Sequence, residues 1–348
     1  MNPYVLMTLL SSLGLGTTLT FASSHWLLAW MGLEINTLAI VPLMAQHHHP
    51  RAVEATTKYF LIQGTAAAMI LFASTTNAWL TGQWEINSMT SPVATTMVIA
   101  ALALKIGLAP MHLWMPEVLQ GLDLLTGLIL STWQKLAPLA LIIQTAQAID
   151  PLVLTAFGLT STLVGGWGGL NQTQLRKVLA YSSIAHMGWM IIVLQYAPQL
   201  TLLALVMYIF MTSAAFLALK ASSATNISTL AIIWSKNPTL TTTTALVLLS
   251  LGGLPPLTGF MPKWFIMQEL ATQSLPLIAT IMALAALLSL YFYLRLCYSM
   301  TLTISPNTAS SVTPWRIQTK QASLPLALST VMALGLLPMT PTIMMLVT

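Results

Sequence analysis

The sequence predicts an all-α polytopic membrane protein with about eleven transmembrane helices, two of them broken and related as inverted repeats. Three observations carry this. Of 348 residues, 56% are hydrophobic and only 5% charged, against about 25% charged in a soluble domain. The apolar residues gather in stretches of roughly 20, the length that crosses a bilayer. A ten-residue motif, GLAPMHLWMP at 107–116, returns as GLPPLTGFMP at 253–262, inside the fourth and ninth of those stretches.

Most spans are apolar on every side, so length and breakers set their bounds better than periodicity does. The amino terminus, MNPYVLMTLL, enters the first span (3–22) at once, with no Arg-rich amphipathic presequence. That is the expectation for a chain made inside its own organelle or cell. The second span, 25–45, carries Glu34 at mid-length, and the third, 55–80, carries Lys58 near its start. The fourth, 92–116, holds Lys105, then Pro110 and His112; Pro110 removes a backbone donor and so breaks the helix. The fifth, 123–145, places Lys135 midway, too deep to snorkel easily. The sixth to eighth are 150–170, 177–196 and 200–221, with His186 inside the seventh. The ninth, 239–271, contains the second break at Pro256, followed by Lys263. The tenth and eleventh are 275–297 and 323–345; Ser-, Thr- and Asn-rich loops are expected at 222–238 and 298–322. Tryptophans near span ends read as interfacial anchors.

Charge asymmetry supports the count. With sides alternating along eleven spans, Arg51, Arg176, Lys177, Lys220, Lys236, Arg295, Arg316 and Lys320 all fall on one side or at its edge, while the other receives Glu85 and Asp150 and no base. Positive residues mark the cytoplasm-like side. The amino terminus is therefore expected there and the carboxyl terminus opposite.

The two motif copies lie 146 residues and five spans apart. An odd number of crossings between copies implies opposite orientation, the pattern in which Gly/Pro-interrupted helices of matching halves mark a transport site. The expected organisation is one membrane domain over 1–348: a first half 1–146, a second half 147–300, and a loop with a terminal helix at 301–348. Glu117 occupies the register of Lys263, and Thr258 that of His112.

A charge at the bilayer centre costs roughly 2.5–3.5 kcal/mol even on the lenient insertion scale. Glu34, Lys105, Lys135 and Lys263 are therefore candidates for a proton or ion path, with Lys58, His112 and His186 as further relays. Lys58 starts close to its loop, where snorkelling competes. If Glu34 and Lys105 lie ~7 Å apart at an effective dielectric of ~20, they couple by roughly 2.4 kcal/mol. Moving a charge across ~180 mV takes about 4 kcal/mol, so such a pair has the size to gate a proton rather than to drive it alone. The run His47, His48, His49 reads as an exposed loop, lacking a separated fourth ligand.

Other functions find no support. A single cysteine, Cys297, excludes an internal disulfide and any Cys-ligated cluster built from this chain alone. No nucleotide-binding glycine motif is present. The basic residues are scattered, which argues against nucleic acid as a partner.

The stretches LKIGLAPMHLWMPEV (104–118), QKLAPL (134–139), YSSIAHMGW (181–189) and LGGLPPLTGFMPKW (251–264) resemble the antiporter-like subunits of respiratory complex I, over essentially the whole chain. The resemblance is to the eleven-helix form of animal mitochondria, shorter by three amino-terminal helices than the fourteen-helix bacterial relatives. It implies half-channels joined by a buried Lys/Glu axis, with Glu34, Lys105, Lys135 and Lys263 at the family's key positions and Lys58 at a position often held by Lys. It also implies the mitochondrial inner membrane, with the amino terminus in the matrix and the carboxyl terminus in the intermembrane space. Its partners would be other membrane-arm subunits and lipids. NAD, FMN, iron–sulfur clusters and ubiquinone would belong to other subunits, and this chain would bind no cofactor. The competing readings are a stand-alone cation/proton antiporter of the same ancestry and a purely structural spacer.

Overall fold

A computed structural model describes residues 2–46, 48–302 and 323–347. His47, Arg316, Lys320 and most of the loop expected at 298–322 lie outside the described residues. The chain divides into two compact units, Met1–Thr160 and Ser161–Thr348.

Unit 1 contains α1 (Pro3–Ala22), α2 (Trp26–Met44), α3 (Pro50–Thr81), α4 (Pro92–Ile106), α5 (Trp114–Gly121), α6 (Leu124–Thr132) and α7 (Leu136–Thr145), together with the start of α8 (Pro151–Gly169). Proline opens α1, α3 and α4, where its missing N–H would have no partner in any case. α3 begins at Pro50, five residues before the apolar stretch expected at 55. Its first two turns, PRAVEATT, are polar but helical, with His49 Nδ1 accepting from Arg51 N at 3.3 Å. At 32 residues and ~1.5 Å per residue, α3 runs about 48 Å, well beyond the ~30 Å hydrocarbon layer.

α1 packs along α2, and α3 along both α2 and α4. The α1–α2 seam is close because the small residues Gly16 and Thr20 of α1 meet Gly32 of α2, with Asn36 one turn further along α2 set against Gly16. Such seams let backbones approach in lipid, where no hydrophobic force drives helices together. α7 lies against α1 and α4. Hydroxyls inside the spans mostly donate to carbonyls one turn earlier, as Thr17 does to Gly14 O and Thr20 to Thr17 O. This keeps them satisfied without a second helix.

Unit 2 contains the rest of α8, then α9 (Leu175–Val193), α10 (Pro198–Ser222), α11 (Ile227–Lys236), α12 (Pro238–Gly252), α13 (Phe260–Thr272), α14 (Pro276–Thr301), α15 (Ser323–Gly335) and α16 (Thr340–Val347). α10 packs on α9, α12 and α15; α14 packs on α11 and α12. α11 falls in the segment expected to be a loop. Asn226 and Thr229 form a capping box there, and Leu230 and Ile233 are buried.

Seven helices among the described residues are long and apolar enough to cross a membrane, and Leu324–Gly335 with Leu337–Ile343, bent by 60°, makes an eighth if read as one span. The chain is thus an all-helical polytopic membrane protein. α4 and α12 are shorter, 15 residues each. Both begin at Pro and end before a Gly, at 92 and 107 in one and at 238 and 253 in the other. After each comes an irregular stretch, 107–113 or 253–259, before a second short helix. Pro110 and Pro256 lie in these two breaks.

Candidate functional site

Unit 1 builds its polar centre where α4 ends. A helix leaves its last carbonyls without intrahelical partners, and Gly107, at φ 84°, turns the chain away through the left-handed region. Ala103 O accepts from Gly107 N at 2.8 Å and Leu108 N at 2.9 Å. Leu104 O accepts from Trp114 Nε1 at 3.0 Å, and Lys105 O from Gln63 Nε2 at 3.3 Å. An indole and an amide therefore close the broken end, and the Lys105 ammonium takes no part. Lys105 is only 5% exposed, and its Nζ has no hydrogen-bond partner among the described residues. Glu34, half-buried on α2, interacts electrostatically with both Lys105 and Tyr59.

Lys105 opens on a cavity of about 10 Å³ that is also lined by Asn36, Tyr59, Gln63, Gln134 and Lys135. One water needs roughly 10–15 Å³. Lys135, 2% exposed, reaches this cavity from a break in its own span. Pro138 has no N–H for the Gln134 carbonyl and its ring crowds it. The turn ahead tightens into a 3₁₀ segment, Trp133–Lys135, in which Leu136 N donates to Trp133 O. The amide of Gln134 then donates to Asn36 O at 3.2 Å.

Unit 2 repeats the break and closes it differently. Gly253 has φ 83°. Its N–H serves Leu249 O at 3.1 Å and Ser250 O at 2.9 Å, and Leu254 N reaches Leu249 O at 3.4 Å. The last residue of α12 is capped by the lysine itself: Lys263 Nζ donates to Gly252 O at 2.8 Å. A cation there meets the partial negative charge of a helix C-terminus. Lys263 is 7% exposed. It lines a second cavity of about 10 Å³ with Ser182, His186, Ser289 and Tyr293. The His186 ring lies 5.7 Å from that of Tyr208.

The remaining candidates lie elsewhere. Lys58 lines neither cavity: it is half-exposed near the start of α3, with Nζ 2.8 Å from both Glu54 Oε1 and Glu117 Oε2. His112 is buried in the first break, Nδ1 3.3 Å from Pro110 O. Thr258, at its register in the second break, donates to Ala333 O on α15. Among the described residues no three His, Cys, Asp or Glu side chains converge as a metal site. Sequence reasoning missed Asn36, Tyr59, Gln63 and Gln134. Asn36 and Gln63 carry the same signal as Glu34, a polar side chain inside an apolar span, but without a charge to draw attention.

Residues 23–289 match the family described as NADH:quinone oxidoreductase/Mrp antiporter, TM, and residues 290–344 that described as NADH dehydrogenase subunit 2 C-terminus. NADH-ubiquinone oxidoreductase chain 2 of Carassius auratus is 82% identical over 348 residues, covering the whole of both chains. The same-named chain of Danio rerio is 74% identical, again over 100% of both. Among solved structures, a chain of respiratory complex I from Thermus thermophilus with bound aureothin superposes with TM-score 0.86 at 28% identity, over 98% of this chain and 80% of that one. A chain of the Mrp complex from Dietzia shares the fold, with TM-score 0.84 at 16% identity over 97% of this chain and 75% of that one.

Proposed function

This chain belongs to the chain 2 family of NADH-ubiquinone oxidoreductase, and from that premise we propose that Glu34, Lys105, Lys135 and Lys263 form its proton-transfer axis. The chain is an antiporter-like membrane subunit of respiratory complex I, part of a proton-translocating NADH:ubiquinone oxidoreductase, and a multi-pass inner-membrane protein. Its partners are the other membrane-arm subunits and lipid.

One observation supports the axis above all others. The Lys105 ammonium is buried, has no hydrogen-bond partner among the described residues, feels Glu34, and shares a polar cavity with Lys135. Any change of charge at Glu34 alters the electrostatic energy of a proton on Lys105. The cavity then offers that proton a short route to Lys135. Lys263, with His186 beside it, supplies the corresponding station in the second half. His112 is a relay at the margin of the path, and Lys58, paired with Glu54 and Glu117, stands outside it.

The finer topology belongs to this reading. Taking each broken helix as one crossing, α9 as another and the bent carboxyl-terminal pair as one gives eleven crossings. The halves 1–146 and 147–300 then run in opposite senses, and the terminal segment 301–348 follows them. The amino terminus lies in the matrix and the carboxyl terminus in the intermembrane space. This chain binds no cofactor; NADH, FMN, cluster and ubiquinone chemistry occur in other subunits.

The test is Lys105→Met in the assembled complex, with protons translocated per electron as the readout. A lowered ratio is expected, and a normal ratio in a fully assembled variant refutes the axis. If the isolated chain in liposomes exchanged Na⁺ or K⁺ for H⁺, it would be a stand-alone antiporter instead.

A further inference from the structure

Asn36 is the other buried polar side chain of unit 1 left unsatisfied at the cavity. It is 2% exposed, and neither Nδ2 nor Oδ1 has a hydrogen-bond partner among the described residues. A buried amide without partners costs about 1–3 kcal/mol, so a helix seam has no use for it as packing; a leucine would serve better there. The neighbouring backbone is nonetheless shaped to admit it. A methyl group at Gly16 on α1 would collide with the Asn36 amide. The same side chain lines the cavity shared by Lys105 and Lys135, and the Asn36 backbone carbonyl accepts from the side-chain amide of Gln134, the residue next to Lys135, at 3.2 Å. Two orphaned polar groups, an amide and an ammonium, thus face one cavity of about 10 Å³. Such a space admits one water, and a buried water needs two to four polar partners.

We infer that Asn36 is a positioning residue, seating a single water between Lys105 and Lys135 through which the proton is handed on, and that Gly16 exists to make room for it. The inference rests on the proton-axis reading. The amide both donates and accepts, so it can hold the water in either orientation while the proton passes. No bond to carbon changes: the ammonium of Lys105 gives a proton to the water as the water gives one of its own to the Lys135 amine. Asn36 never carries the proton.

The experiment uses the assembled complex carrying Asn36→Leu, Asn36→Ser and Lys105→Met separately, alongside a map of the wild-type complex that resolves internal waters. Asn36→Leu is expected to slow coupled turnover about tenfold and to raise its solvent deuterium isotope effect. Asn36→Ser, which keeps a hydroxyl beside the cavity, is expected to restore most of both. The map is expected to show one water within about 3.2 Å of the Asn36 amide and of Lys105 Nζ. Wild-type turnover and isotope effect in Asn36→Leu overturn the inference, as does a Leu defect that Ser does not rescue. If Asn36→Leu fails to assemble, the map decides alone, and a cavity without that water overturns the inference. If Lys105→Met pumps normally, the axis itself falls; if only Lys105→Met is impaired, the axis stands and the Asn36 water falls.

Discussion

The two broken helices have the same backbone and opposite chemistry. α4 and α12 are both 15 residues long, both end before a glycine at φ 84° or 83°, and both are sealed by a six-residue backbone turn, Leu108 N to Ala103 O and Leu254 N to Leu249 O. They differ in what closes the remaining carbonyls. The first end is closed by neutral donors, Trp114 and Gln63, which leaves the Lys105 ammonium uncommitted. The second is closed by the Lys263 ammonium itself. At the register of Lys263 the first half has Glu117, which turns outward to Lys58. One half therefore leaves the buried ammonium beside its break without a hydrogen-bond partner among the described residues, and the other sets its ammonium on the last carbonyl of the broken helix. The difference teaches that an internal repeat can conserve a break in the backbone while reassigning the charge beside it.

Five substitutions, two of them a matched pair, break or sharpen this contrast. The largest effect is expected of Lys105→Met, which removes the uncommitted cation while leaving the neutral cap in place. Coupled activity should fall about tenfold or more, at least ~1.4 kcal/mol in barrier terms, with the amount of assembled complex unchanged. Next comes a matched pair, Gly253→Ala and Gly107→Ala. Each forces a side chain into the left-handed region at about 1–2 kcal/mol. At Gly253 the new Cβ would also sit 2.8 Å from Lys263 Nζ, whereas at Gly107 the nearest atom is Trp114 Cζ2 at 3.4 Å. Native gels should show less assembled complex for Gly253→Ala than for Gly107→Ala; equal loss would mean that the Lys263 contact does not hold the second break. Gln63→Leu should come third. It leaves the Lys105 carbonyl without its donor, a penalty of about 1–3 kcal/mol that should lower thermal stability of the complex more than its turnover. Lys58→Met should do least, within about threefold in activity, since half-exposed ion pairs contribute little. A larger loss would bring Lys58 into the axis.

Much of the fold was legible because lipid leaves few choices. Prolines open the helices, and the paired Gly–Pro segments announced both breaks. The buried lysines stood out because nothing else in those spans is charged. The partners of those lysines were not legible. Nothing in LAPMHLWMP says that an indole ten residues along will reach Leu104, or that a glutamine 42 residues earlier will meet Lys105. The 3₁₀ turn at Trp133–Lys135 follows from Pro138, which lies inside the fifth span, expected as continuous over 123–145. The pairing of Lys58 with Glu54, four residues before it, is legible as an i, i+4 pair, whereas that with Glu117, 59 residues on, is not. α11 hid among polar loop residues, although Asn226 and Thr229 spelled out its cap.

The fixed length of α4 has a consequence for how this chain can vary. Each residue turns a helix by about 100°. Inserting a single alanine between Pro92 and Lys105 would swing the ammonium roughly a quarter of the way round the barrel of the helix, away from Lys135, while composition and hydropathy stayed almost unaltered. The spacing from Pro92 to Gly107 works as a ruler, and the same ruler, with the same graduations, is set between Pro238 and Gly253.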